Sequence, residues 1–230
     1  MNIDTQSFAH LIKNLERTSL NNSIFNYKPG RRAFLSLGKG NSQDWLKALL
    51  PNTRIILEPK IMGQSLGIQY INGELTKVIN ENSKDITKKI QLLKIIPHRI
   101  PIKKRIELRG VLYENNNNIS YKKTKKKEFS DNQKASSKFN KLSFCAFHIF
   151  HCKMNHFQTL QELKKLNFEI PESHFTIYTS DIEIYRQCWR EGKLFQGYPT
   201  SGIVLKINSK KLQKHLGENN LSINWAYAIN

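Results

Sequence analysis

Acidic side chains are scarce in this 230-residue chain: 18 Asp and Glu stand against 37 Lys and Arg, leaving a formal charge of +19. Such an excess repels itself in a compact state unless a polyanion lies nearby, so nucleic acid is the first expected partner and a membrane surface the second. Long apolar runs are missing as well. None approaches the length that spans a bilayer and no signal peptide opens the sequence. No membrane partner is therefore expected, and the location expected is cytoplasmic, at the nucleoid if DNA is bound. Cysteine is sparse and odd in number, at three, which argues against a disulfide framework and for a reducing compartment. The length suffices for one large domain or two small ones with a sizeable core.

What is present is organised around Ile55 to Ile68. An apolar run, Ile55-Ile56-Leu57, meets Glu58-Pro59-Lys60, then glycine, and β-type residues resume up to Tyr70. The pattern predicts a strand, a tight turn carrying Lys60, and a second strand closed by Asn72-Gly73. A lysine between two buried strands is drawn out of water, the condition that favours its use as a nucleophile. Apolar spacing predicts helices over Phe8–Leu20, from a Ser42 cap through Leu50, and over Ile86–Ile96, Phe157–Leu166, Glu183–Glu191 and Ser209–Leu216. Strands are predicted over Arg105–Tyr113, Leu142–Phe150, Gly202–Ile207 and Trp225–Ile229. Mixed elements with non-local pairing predict an α+β fold, with residues 1–32 a separable helical arm and 33–230 the main domain.

Two clusters invite chemistry. Cys145, His148, His151, Cys152 and His156 suggest zinc, but no Cys-x-x-Cys pair exists and strand alternation turns Cys145 and His148 apart, so no metal site is expected. The polar stretch 114–141 reads as a mobile basic loop or short helix. At its centre Lys122, Lys123, Lys125, Lys126 and Lys127 form either a solvated face or a phosphate-contacting, nucleic-acid-binding one. Gly38-Lys39-Gly40 lacks the remainder of a phosphate-binding loop and reads as a turn.

From about Ala33 to Asn230 the chain resembles the adenylation (nucleotidyltransferase) domain of bacterial NAD-dependent DNA ligases. Phe34-Leu35-Ser36-Leu37 and the Gln43-Asp44-Trp45-Leu46 helix are similar to the segment before that family's active-site lysine. Glu58-Pro59-Lys60-Ile61-Met62-Gly63 resembles its Glu-Pro-Lys-x-Asp-Gly, and Tyr70-Ile71-Asn72-Gly73-Glu74-Leu75 the segment that follows. Glu107-Leu108-Arg109-Gly110 is similar to Glu-Val-Arg-Gly. Ser201 to Asn208 resembles Asp-Gly-Val-Val-Ile-Lys-Val-Asn. Leu212-Gln213, Leu216-Gly217 and Trp225-Ala226-Tyr227-Ala228 match the closing segment. The resemblance implies an ATP-grasp-like nucleotidyltransferase fold with mixed and antiparallel sheets and flanking helices. It also implies Lys60 as the inherited nucleophile, Glu58 as an adenine contact, and Gly63, Arg109 and Lys206 in the nucleotide site.

The departures bear on activity. Met62 and Ser201 stand where the family has aspartates, Val111 where it has a glutamate, and Asn230 where it has a lysine. A Thr-Arg-Gly-Asp-Gly loop has shrunk to Asn80-Glu81-Asn82-Ser83, without its arginine. The arm lacks the family's Tyr/Asp cluster that grips the nicotinamide mononucleotide half of NAD. Each lost electrostatic stabiliser typically costs on the order of a hundred- to a thousandfold in rate. Such losses do not simply add, and Met62 and Val111 cannot ligate a hard cation.

The expectation is a catalytically degenerate pseudoenzyme that binds nucleic acid, duplex or nicked DNA first and RNA second, through its basic surface, and needs no cofactor. One alternative is a minimal ligase-type nucleotidyltransferase forming a lysyl-adenylate on Lys60 from NAD or ATP with a divalent metal. Another is a scaffold docking a repair or replication protein through the old cleft or the helix around Trp189.

Overall fold

A computed structural model describes residues 35–38, 42–115, 142–218 and 222–230. The expected N-terminal arm, Lys39 and the Lys122–Lys127 cluster lie outside the described residues.

The apolar run at the centre of the sequence becomes β2 (Ile55–Ile61), and the chain then crosses at Met62-Gly63 into β3 (Gln64–Ile71) of a different sheet. Lys60 therefore sits inside a strand, not on the expected turn. Proline does not end β2 early, because the ladder with β8 (Thr200–Ile207) absorbs Pro59 opposite Ile203 and shifts register only between Pro59 and Ile61. Asn72 and Gly73 close β3 as expected and, both at positive φ, make a two-residue hairpin turn into β4 (Glu74–Asn80). The sequence reading had passed over β4.

Two sheets result. In the five-stranded one the order is β1-β9-β8-β2-β7, with β1 at Ser36–Gly38, β7 at His174–Thr176 and β9 at Ser222–Ile229. β1 runs parallel to β9 and the remaining pairs are antiparallel. In the four-stranded antiparallel sheet the order is β4-β3-β5-β6, with β5 at Ile106–Glu114 and β6 at Leu142–Ile149.

Helices cover one face of each sheet. α1 (Ser42–Lys47) and α4 (Asp181–Arg190) close the core built on Ile55, Leu57, Ile203 and Leu205. α2 (Thr87–Leu93) and α3 (His156–Lys165) close the core under Leu66, Ile68, Tyr70 and Leu108. α2 is shorter than its apolar spacing predicts: Lys94 turns left-handed at φ 52° and ends it before Pro97 is reached. α5 (Lys210–Leu216) falls where a helix was expected and is capped by Ser209, whose hydroxyl accepts from Leu212 N at 3.3 Å. No described helix is long and apolar enough to cross a membrane.

Candidate functional site

Ile55 and Leu57 point into the core beneath α4, so strand alternation turns Ile56 and Glu58 to the opposite face. Lys206, the ladder partner of Ile56 on β8, shares that face. Its Nζ lies 2.6 Å from Glu58 Oε2. The other carboxylate oxygen, Oε1, is bonded by Nε2 of His156 in the first turn of α3. All three side chains are buried. An ionised carboxylate only accepts, so the imidazole is the donor.

Burial by itself raises the Glu58 carboxyl. Lys206 and His156, by charge and hydrogen bond, overcome this and hold it at about 2. His156 is pushed below its usual value, first by burial and then by Lys206 and Lys210, against a partial upward pull from Glu58. The trio therefore carries one negative and one positive charge, with a neutral imidazole orienting the carboxylate.

His156 is held by Asn208, at the end of β8. Asn208 O accepts from His156 N at 2.9 Å and Asn208 Oδ1 from Phe157 N at 3.0 Å, satisfying amides that the helix leaves unpaired. Asn155 Oδ1 in turn accepts from Lys210 N at 2.9 Å. The same residues thus stop β8, start α3 and aim His156.

Phe147 on β6 forms the adjoining wall. Lys206 Nζ stands 4.7 Å from its ring centroid and the Arg109 guanidinium carbon 5.7 Å. Arg109 Nη1 donates to Leu35 O at 3.1 Å. Burial brings Arg109 down to about 10, opposed by Glu81, so it stays charged at neutral pH. Lys60 is half-buried near the end of β2, and no ion pair joins it to a carboxylate among the described residues.

The sequence-named residues therefore divide. Glu58 and Lys206 are in contact, and Arg109 joins them around Phe147. Gly63 answers a packing need: a Cβ there would meet Leu112 O at 2.2 Å and Val111 Cγ2 at 2.8 Å, so the crossing between sheets requires glycine whatever the ligand. His156, Phe147 and Asn208 were missed as site residues. The pair of Asn155 with Gln158, whose Oε1 accepts from Asn155 N at 3.1 Å, was a legible helix start, but nothing local ties His156 to a glutamate 98 residues away.

The departure positions do not fit a divalent cation. Val111 is buried with Tyr113 and Cys145, against which Ile61, Phe147 and Tyr198 pack. Met62 lies on the crossing, 52% exposed, its N donating to Pro199 O at 2.7 Å. With the Asn230 amide in its bonded orientation, Nδ2 donates to Ser201 O at 2.9 Å, a neutral contact. Among the described residues no three His, Cys, Asp or Glu side chains are grouped to hold a metal. Glu58, Lys206, Phe147 and Arg109 thus gather a buried ion pair, an aromatic face and a second cation.

Trp189 is half-buried. Its ring packs on the core beneath α4 and Nε1 donates to Thr200 Oγ1 at 2.8 Å.

Comparison with known sequences points to one family, and comparison with solved structures to one fold. The profile of the NAD-dependent DNA ligase adenylation domain matches residues 25–230. A DNA ligase of Endomicrobium trichonymphae is 29% identical over 207 residues, covering 77% of this chain and 31% of that protein. A DNA ligase of Prochlorococcus marinus (strain NATL1A) is 26% identical over 211 residues, covering 76% and 31%. The chain thus spans about a third of the length of these curated relatives. Among solved structures, an Aquifex aeolicus protein described as an ATP-dependent DNA ligase shares the fold at a TM-score of 0.50 and 10% identity, over 77% of this chain and 47% of that one. This chain belongs to the NAD-dependent DNA ligase adenylation-domain family.

Proposed function

We propose that this chain is a DNA-binding member of its family in which adenylyl transfer has lapsed. The observation that carries the reading is the place of Val111. Where the resemblance calls for a carboxylate, the chain puts an isopropyl group into a dry cluster with Cys145, Ile61 and Tyr198. A cation brought there would lose water and gain no ligand. Met62, Ser201 and Asn230 add no anionic oxygen to replace it, so charge developing on a transferring phosphate has few partners. The +19 formal charge supports the binding half of the proposal, since phosphate contacts dominate affinity and release counterions.

The test is intact mass after incubation with NAD and with ATP in the presence of magnesium, alongside Lys60→Ala. No added AMP is expected; a Lys60-dependent adenylate would overturn the reading. In parallel, binding of nicked and intact duplex should be readily measured at low salt and fall steeply as salt rises. Undetectable binding at low salt would remove the DNA half.

A second reading, a minimal nucleotidyltransferase, is favoured by the retained Glu58–Lys206 pair beside Phe147. The same mass measurement separates the two.

A further inference from the structure

The histidine-rich stretch that suggested zinc holds a different arrangement. Along the β5–β6 ladder Arg109 pairs with His148 but Gly110 pairs with Ala146, leaving Phe147 as the extra residue of a β-bulge. Gly110, beside the bulge, is fixed by packing: a Cβ there would stand 2.2 Å from Phe144 Cζ and 2.5 Å from Cys145 O. A bulge breaks strand alternation and re-aims its side chains. Phe147 accordingly reaches Lys206 on β8, while the next residue, His148, stacks on Trp225 of β9 with ring centroids 6.0 Å apart and planes at 27°. Phe150 meets the His148 ring edge-on at 5.1 Å and 90°. Two consecutive side chains of one sheet thus both touch the other sheet.

All four rings are only half-buried. Burial first, and then the charges of Lys210, Lys206 and Arg109, hold the His148 imidazole well below its ordinary value, so it presents an aromatic face and not a cation. Exposed Lys153 follows a few residues beyond Phe150.

We infer that the His148–Trp225 stack, with Phe150 at its edge and Lys210 beside it, is a stacking site for an unpaired base of single-stranded DNA. Aromatic faces bordered by lysines bind single strands with little regard to sequence, because every base has a π face. The rings stand where a side chain of one sheet meets a side chain of the other, and they stay partly exposed. An unstacked base can enter there, whereas the bases of an intact duplex are stacked on one another and turn only their edges outward. The inference rests on the DNA-binding reading and specifies it: the chain would prefer frayed, gapped or single-stranded regions.

The test measures anisotropy of labelled oligothymidylate and of a blunt duplex with the full chain, Trp225→Ala, Trp225→Phe and His148→Ala, folding of each being checked by circular dichroism. Trp225→Ala and His148→Ala should each weaken single-strand binding by about 10-fold or more, with duplex binding changed less than about twofold and Trp225→Phe close to wild type. If Trp225→Ala fails to fold, His148→Ala and Trp225→Phe decide. Equal loss on both DNAs, or no loss on either, overturns the stacking site while the DNA-binding reading stands. Displacement of the oligonucleotide by thymidine monophosphate at equal nucleotide concentration also overturns it, since the site would then take free nucleotides. Failure of the wild type to bind either DNA overturns both readings.

Discussion

Replacing Lys206 by methionine leaves the Glu58 carboxylate buried, with His156 as its remaining side-chain partner. The two groups now sit 2.6 Å apart with relative side-chain exposures of 8% and 3%. Removing one partner of a pair this dry typically costs about 3–5 kcal/mol, because the survivor keeps its desolvation penalty. That is a large part of the roughly 5–15 kcal/mol that holds a domain together. His156 modifies the result. Lys206 is one of the groups that depress it, so in Lys206→Met the imidazole protonates more readily and can neutralise Glu58. The loss should thus be largest near pH 8 and shrink towards pH 5.5. The double variant Glu58→Gln, Lys206→Met should cost much less than the sum of the two single variants, a coupling of at least about 2 kcal/mol. Urea unfolding at both pH values, with the four proteins of the cycle, measures this. A loss under about 1 kcal/mol at pH 8, or strict additivity, would refute the buried trio.

Acid should act on the same site. The Glu58 carboxyl is lowered from 4.5 to about 2, so its contribution is complete above pH 4.5 and is lost as pH falls towards 2. His156, also lowered, likewise costs stability once pH falls below its ordinary value. Both signs agree, and Glu58→Gln should flatten the acid limb of a stability–pH curve. Val111→Glu should destabilise by about 2–4 kcal/mol, since a carboxylate enters an apolar cluster unpaired. Recovery of that loss by manganese would reveal a metal site and refute the assignment. Gly63→Ala should cost about 1–3 kcal/mol because the new methyl has backbone, not a movable side chain, 2.2 Å away. An unchanged melting temperature would contradict that. Asn208→Ala should cost about 1 kcal/mol by removing the side-chain acceptor of the Phe157 amide, while His156 N keeps the backbone carbonyl; faster hydrogen exchange of the Phe157 amide would report it.

Much of the architecture was legible because its signals are local. Asn72-Gly73 marked the end of β3, the short basic run from Ser209 to Leu216 announced α5, and the apolar triplets at 55–57 and 203–205 read as buried strands. Where the reading slipped, a neighbour overrode a local rule. Pro59 and Lys60 looked like a turn until β8 supplied a ladder for them, and the α2 spacing ran on past the residue whose backbone closes the helix. β7 is three residues long and owes its form to pairing with Ile55–Leu57, so no pattern within it announces a strand.

Residue identity at ordered positions is enough for the family and the α+β class. How the side chains of the site meet is set only by the packing of the two sheets. Glu58 meets a histidine 98 residues distant, Phe147 gains its cations only because a bulge breaks the alternation, and Val111 is a metal-hostile residue only in the company of Cys145 and Tyr198. Those are distances between strands of different sheets. Burial and Coulomb energy depend on such distances, and no spacing along a chain encodes them.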